Sequence, residues 1–210
     1  MANKKNNRSV QRTERAVEGA LVELAREMPF RKITVSAIVA RSGVSRGTFY
    51  LHYHDVYDLL GKMGDRVLDE VDARLGEVES PEGSGDTVDF TRALLEAVFD
   101  TVEANRDVVR LYLREDGNAL AFKRRLGELR KKHLPPVAAR RYAALPAHTQ
   151  ELYFAFTTDG LLRVVTDWLE NDCAPDRREL SDEVGLILLG SVQALAAGTP
   201  GTGTAVPHEG

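Results

Sequence analysis

Side chains suited to nucleic-acid contact cluster between residues 34 and 54. Arg46 carries a guanidinium fork that matches the O6 and N7 acceptors of guanine. Thr34, Thr48 and Tyr50 carry hydroxyl groups suited to phosphate oxygens, contacts that position a protein on a duplex without reading its sequence. The full set of candidate contact residues is Thr34, Ser36, Ser45, Arg46, Gly47, Thr48, Tyr50, His52 and His54.

The charge distribution supports a polyanionic partner for this part of the chain. The 210 residues carry a formal net charge of −4, but residues 1–54 hold ten Lys and Arg against four Asp and Glu. Residues 55–210 hold eighteen against twenty-eight. A basic N-terminal quarter on an acidic body is typical of a polyanion-binding module joined to a part with another role.

Two short helices separated by a tight turn are expected to position these side chains. Thr34 is a suitable N-cap for the first of them, and Ser45 for the second. Gly43 lies between them and can take the left-handed backbone conformation that a Cβ would strain. This order is the form of a helix-turn-helix, with a small core of Val35, Ile38, Val39, Val44 and Phe49.

Apolar spacing of three and four residues recurs along almost the whole chain, which predicts an all-α fold of about nine helices. The expected architecture is an N-terminal three-helix helix-turn-helix domain followed by a C-terminal helical domain for ligand binding and dimerisation. Residues 80–86 are expected to form a loop. Outside the helix-turn-helix, the expected helices cover about residues 9–28, 55–77, 88–104, 106–113, 119–134, 148–171 and 181–197.

The segment resembles the DNA-binding domain of the TetR family of bacterial transcriptional regulators. Residues at the family's spacing are Thr34, Val35, Ile38, Gly43, Val44, Ser45, Gly47, Thr48, Phe49, Tyr50, His52 and Tyr53. One branch of the family has lysines where this chain has His54 and Val56, so we expect two phosphate contacts to be weakened or lost. The resemblance extends over about residues 10–65.

The resemblance implies a homodimeric, ligand-responsive repressor in the bacterial cytoplasm that binds double-stranded operator DNA and an unknown small-molecule effector. It implies no cofactor, no enzymatic activity and no membrane partner. The expected parts are a flexible basic arm, a helix-turn-helix domain, a connecting helix, an effector-binding and dimerisation domain, and a disordered tail. Their ranges are 1–9, 10–55, 56–79, 80–197 and 198–210.

The acidic body contains aromatic and apolar residues whose role the sequence leaves open between a ligand cavity and an ordinary core. The candidate pocket residues are Phe99, Leu111, Tyr112, Phe122, Tyr153, Phe156 and Trp168. The candidate dimer interface consists of Leu161, Leu162, Val165, Leu186, Leu189 and Val192 on the last two helices. A monomer could also bury this second set internally, so dimerisation depends on the resemblance.

The fourth helix is the long element that joins the helix-turn-helix to the body, which makes it the expected lever of an effector response. Gly61 and Gly64 lie in its first three turns and lower its helical propensity by about 1 kcal/mol each relative to alanine. They serve either as a hinge or as positions for close packing against the first helix.

Several other classes of protein lack support in the sequence. Cys173 is a single cysteine, no His or Cys spacing suits a metal, and no Ser/His/Asp set suggests catalysis. We expect no signal peptide and no membrane-spanning segment. The basic runs Lys123–Arg125 and Arg130–His133 are either a solvated helix face or a second anion site. The alternative functions are a TetR-like interaction protein that has lost DNA binding and an all-α small-molecule-binding protein.

Overall fold

The computed structural model describes residues 2–79, 87–114 and 116–198, and within these ranges it contains helices and no strand. The predicted all-α fold is therefore confirmed. A single 3-10 turn, Phe30–Lys32, follows the first helix. The α-helices are α1 Ala2–Glu27, α2 Val35–Ser42, α3 Arg46–His52, α4 Val56–Glu77, α5 Thr87–Ala104, α6 Arg106–Arg114, α7 Asp116–Lys132, α8 Pro136–Ala143, α9 Ala147–Glu170 and α10 Arg177–Gly198.

The described residues form ten α-helices instead of about nine, and α8 is the one that the sequence analysis missed. We expected Pro135 and Pro136 only to end or kink the preceding helix. Pro135 is the N-cap of α8, with φ −52° and ψ 139°, and Pro136 takes the first helical position. A proline is well suited to that position, since the missing N–H has no intrahelical partner there.

The helix α10 begins four residues earlier than the expected range of about 181–197. The helix begins at Arg177, and the Asp176 carboxylate accepts a hydrogen bond of 2.9 Å from the backbone N–H of Arg178. Ser181 is buried inside the helix, where its hydroxyl donates to the Arg177 carbonyl at 2.6 Å. The early start follows from the aspartate, a residue type that also favours the cap position.

The N-terminal segment expected as a flexible arm is helical in its backbone from Ala2 onward. Residues 2–9 contain neither proline nor glycine, so no residue there interrupts the helix that follows. The expected loop at 80–86 and residues 199–210 of the expected tail lie outside the described residues.

The chain divides into two compact units whose boundaries cut across three helices. Unit 1 combines Met1–Asp72 with Thr101–Arg125, and unit 2 combines Ala73–Asp100 with Leu126–Gly210. The helices α4, α5 and α7 each contribute residues to both units. The fully buried side chains of unit 1 include Val17, Leu21, Ile38, Phe49, Leu59 and Leu60, and those of unit 2 include Phe99 and Val192.

Candidate nucleic-acid interface

The turn between α2 and α3 is held by two side-chain caps and one glycine. Thr34 Oγ1 accepts a hydrogen bond of 3.2 Å from the Ala37 N–H, and Ser45 Oγ accepts one of 3.0 Å from the Thr48 N–H. Gly43 has a φ of +68°, in the left-handed region that favours glycine. Each residue that the sequence assigned to the turn thus has the local role expected of it.

The outer face of α3 presents a mixed polar and apolar surface to solvent. Phe49 is fully buried and fixes the opposite face of the helix against the core. Arg46, Gly47 and Tyr50 are exposed, as the sequence analysis predicted for contact residues. The exposed members of the candidate set beyond α3 are Thr34, Ser36, Ser45 and His54, whereas Thr48 is half-buried.

Leu51 is a surface residue of α3 that sequence reasoning missed. It is 82% exposed and lies one helical turn after Gly47, on the same side of the helix. An exposed leucine on such a face can contact the methyl group of thymine. An apolar residue such as leucine is usually expected in the core. The spacing of four residues from Gly47 is the feature that places Leu51 on the exposed side of α3.

His52 does not belong to this exposed face. Its Nδ1 lies 3.7 Å from the Glu14 carboxylate, and its side chain is 19% exposed. His52 lies one helical turn after Phe49, which is buried. It therefore lies on the side of α3 that contacts Glu14 of α1. The role of His52 as a DNA contact therefore stays a prediction, from a position that is less exposed than Arg46 or Tyr50.

The end of α3 is tied to α4 by a lysine. Lys62 Nζ donates to the His52 carbonyl at 2.7 Å and to the Asp58 carboxylate at 3.0 Å. The same ammonium lies 5.4 Å from the centroid of the Tyr53 ring. A charged donor on the last carbonyls of a helix stabilises that end, so Lys62 helps to orient α3 on α4.

A polar cluster under α3 connects three helical segments of unit 1. The Tyr53 hydroxyl donates to Glu18 Oε1 at 3.1 Å, and Arg66 forms an ion pair with the same carboxylate. Burial raises the pKa of Glu18 above its usual value, and the positive charge of Arg66 opposes that shift. Burial likewise raises the pKa of the Tyr53 hydroxyl.

Val56, where one branch of the family has lysine, is buried. Its side chain is 7% exposed and belongs to the core, so it offers no group to a phosphate. The neighbouring Asp55 accepts a hydrogen bond of 2.7 Å from the Asp58 N–H and caps α4. Of the two positions where this branch of the family has lysine, His54 is the one that is exposed in this chain.

The candidate pocket residues fall into both units rather than one. In unit 1, the rings of Tyr112 and Phe122 lie 5.3 Å apart, and Leu111 is half-buried. In unit 2, the rings of Phe99 and Trp168 lie 5.1 Å apart, and Tyr153 is buried. These contacts are those of packed cores.

Phe156 does not line an interior pocket, because it is 77% exposed. On α9 the buried side is marked by Tyr153, Phe154 and Thr157, and Phe156 lies between these positions on the other side of the helix. The prediction for Phe156 is therefore wrong. One groove of about 390 Å³ occurs in unit 1 between α1 and the start of α6, and it contains none of the predicted pocket residues.

The candidate dimer residues are mostly interior. Leu161, Leu162, Val165 and Val192 are buried within the chain, and Leu189 is half-buried against the cluster around Val192. The prediction of those four as interface residues is wrong, because the apolar stripe of α9 and α10 that it followed faces the core. Leu186 is 59% exposed, and the other exposed apolar residues of α9 and α10 are Leu152, Phe156, Ile187 and Leu195.

The apolar length of α10 also corrects an expectation. From Gly185 onward its residues are uncharged, and an 18-residue window reaches a mean hydropathy of 1.4. By length and composition alone this helix could cross a membrane, although the sequence analysis expected no such segment. Only 28% of that window is buried, so α10 leaves an apolar face uncovered. Among the described residues, no group of three His, Cys, Asp or Glu residues could hold a metal.

Two short capped helices, α2 and α3, are joined by a tight turn, and the second of them is exposed. This arrangement is that of the helix-turn-helix DNA-binding proteins. Residues 19–63 match the family model of bacterial regulatory proteins of the tetR family, and residues 91–190 match a transcriptional regulator C-terminal region. Together the matches cover more than two thirds of the sequence. The chain belongs to the TetR family of bacterial transcriptional regulators.

Solved structures of this family share the fold at low sequence identity. A TetR-family regulator from Syntrophomonas wolfei has a TM-score of 0.65 at 16% identity, over 92% of this chain and 99% of that one. The fatty acid degradation regulator FadR from Bacillus halodurans gives 0.63 at 22% identity, over 85% and 95%. The repressor FadR from Thermus thermophilus, solved with lauroyl-CoA, gives 0.57 at 20% identity, over 93% and 100%. No curated protein sequence matches the chain significantly.

Proposed function

We propose that the protein is a homodimeric repressor that binds a two-fold operator through α3 and releases it in response to a small-molecule effector. The observation that carries the proposal is the exposed face of α3, where Arg46, Gly47, Tyr50 and Leu51 stand clear of the core. Arg46 supplies base readout, Tyr50 a phosphate contact and Leu51 an apolar contact. The protein acts in the cytoplasm and catalyses no reaction.

DNA binding is tested by fluorescence anisotropy with labelled duplexes that tile the region flanking the protein's own coding sequence. We expect one duplex to bind more tightly than a random duplex of equal length, with affinity that falls as salt rises. Two-fold symmetry predicts half-sites about 34 Å apart. Absence of binding to every duplex at low salt, in a folded protein, contradicts the proposal and favours an interaction protein that acts through another regulator.

Dimerisation is proposed through the exposed apolar residues of α9 and α10. Phe156 and Leu152 lie one helical turn apart on α9, and Leu186 and Ile187 are exposed on α10. Exposed large apolar side chains on two helices that contact each other are typical of an interaction site. A second copy of the chain is the occupant that a two-fold operator requires.

The interface is tested by analytical ultracentrifugation of Phe156→Glu and Leu186→Glu. We expect both substitutions to shift the protein from dimer to monomer, since each places a charge in an apolar contact. Leu51→Glu is the matched control, because it adds the same charge at an equally exposed leucine outside this surface. A monomeric wild-type protein, or dimers in all three variants, contradicts the proposed interface.

An effector is proposed from the family architecture and from the solved relatives. The Thermus thermophilus FadR structure holds lauroyl-CoA, a ligand with a long apolar chain and an anionic part. The body of this chain is rich in buried aromatic rings, among them Phe99, Trp168, Tyr153 and Phe154. Such surroundings suit a ligand with an apolar body.

A further inference from the structure

Arg130, in the last part of α7, is half-buried in unit 2. Its Nη1 donates to Thr158 Oγ1 at 2.7 Å, and its Nη2 donates to Thr157 Oγ1 at 2.9 Å. Both threonines are buried on α9. Of the basic run that begins here, Lys131 and Lys132 are exposed, so the helix turns one cation inward and leaves its neighbours in solvent.

The charge of Arg130 has no counterion among the described residues. Its hydrogen-bond acceptors are neutral hydroxyl groups, and no described carboxylate forms an ion pair with it. Burial lowers the pKa of Arg130 from its ordinary value. Three other arginines of unit 2 do form ion pairs with carboxylates: Arg92 with Asp89 and Asp182, Arg163 with Asp167, and Arg177 with Asp100.

An apolar wall adjoins the guanidinium. Arg130 Cζ lies 5.3 Å from the centroid of the Phe154 ring, and Lys131 Nζ lies 5.1 Å from the same centroid. Phe154 belongs to a buried cluster with Tyr153 and Val192, against which Leu134 and Tyr142 also pack. Positive charge and apolar surface therefore meet around one aromatic ring.

We propose that Arg130 binds the oxyanion head group of an amphipathic acid whose apolar body packs against the Phe154 cluster. A guanidinium has five N–H donors, of which two are used by Thr157 and Thr158. Its planar fork suits carboxylate and phosphate, which add the attraction of opposite charges to the hydrogen bonds, whereas the threonine hydroxyls are neutral. An anion therefore supplies the counterion that this half-buried cation lacks among the described residues. The proposal rests on the effector response proposed above.

The test is isothermal titration calorimetry of the full-length protein with decanoate, decyl phosphate and decan-1-ol. We expect one or both acids to bind at least tenfold more tightly than the alcohol, a difference of about 1.4 kcal/mol. The ratio of the two acids separates a carboxylate site from a phosphate site. Arg130→Gln is expected to abolish the preference, whereas Arg124→Gln, at an exposed arginine of the same helix, retains it.

Equal affinity of the wild-type protein for all three probes, or no binding of any of them, overturns the proposal. A preference that persists in Arg130→Gln overturns it too. If Arg130→Gln does not fold, Arg130→Lys keeps the charge without the fork and is expected to reduce the preference at least threefold. Operator binding by the same preparations is measured separately: its absence refutes the regulator, whereas its presence without acid preference refutes only the site.

Discussion

A pair of alanine substitutions in α4 separates the packing role of its glycines from their effect on helix stiffness. A Cβ on Gly64 would lie 2.2–2.8 Å from three ring atoms of Tyr112, whereas a Cβ on Gly61 meets no atom within 4 Å. The partner of Gly64 is thus α6, not the first helix as one sequence hypothesis held. Tyr112 is 4% exposed and packs against Phe122, so its ring has little room to move aside.

The expected magnitudes follow from these distances. Gly61→Ala gains helical propensity and is expected to raise the free energy of unfolding by about 0.5–1 kcal/mol. Gly64→Ala makes the same gain but overpacks a buried ring, which costs about 2–3 kcal/mol. The net loss for Gly64→Ala is about 1–2.5 kcal/mol, equivalent to a fall in Tm of about 2–10 °C for a chain of this size.

Thermal and urea unfolding followed by circular dichroism measure both effects. Tyr112→Leu removes the ring atoms that Gly64→Ala would meet, so the double variant should lose less stability than the two single changes together. A Gly64→Ala protein as stable as Gly61→Ala would refute the packing argument. If Gly61→Ala keeps its operator affinity but responds less to effector, Gly61 acts as a hinge.

Three further predictions concern unit 1. Arg46→Ala should reduce discrimination at one base pair per half-site by about 1–3 kcal/mol. Tyr50→Phe should instead weaken binding to operator and random duplexes alike. If Arg46→Ala loses the same affinity for both duplexes, Arg46 does not read a base. Leu51→Ala should lower affinity for operator more than for random DNA and leave Tm unchanged, and a fall in Tm would indicate a core role instead. The pKa of Glu18 is raised in the folded state, so the free energy of unfolding should fall as pH rises from about 4.5 through that pKa. Glu18→Gln should make the free energy of unfolding depend less on pH in unfolding titrations. An unchanged pH dependence in that variant excludes Glu18 as its source.

Local chemistry made the helix-turn-helix predictable from the sequence. Thr34, Gly43 and Ser45 interact with backbone groups three or four residues away, so their types and spacing suffice to place α2 and α3. The outward positions of Arg46 and Tyr50 follow from the buried position of Phe49 on the same short helix. The contact of His52 with Glu14 was not predictable in this way, because Glu14 is distant in sequence and lies outside any local pattern.

The acidic body was less predictable because two of its helices have apolar residues on more than one side. On α9 the stripe through Leu161 and Val165 faces the core, but Phe156 and Leu152 are also apolar and are exposed. Periodicity detects an apolar face and does not say whether the chain itself or a partner covers it. The inward position of Arg130 was hidden for a related reason, since the run of cations around it is typical of a solvated surface.

The discontinuity of unit 1 has a consequence for synthesis of the chain on the ribosome. Residues 1–72 emerge first, but Tyr112 and the rest of 101–125 that complete the unit are added later. At about 5–20 residues per second, residues 73–125 take roughly 3–10 s to make. During that interval the surface of α4 around Gly64 lacks the ring that covers it. The nascent α2–α3 segment can therefore be capped and helical well before the unit that carries it is complete.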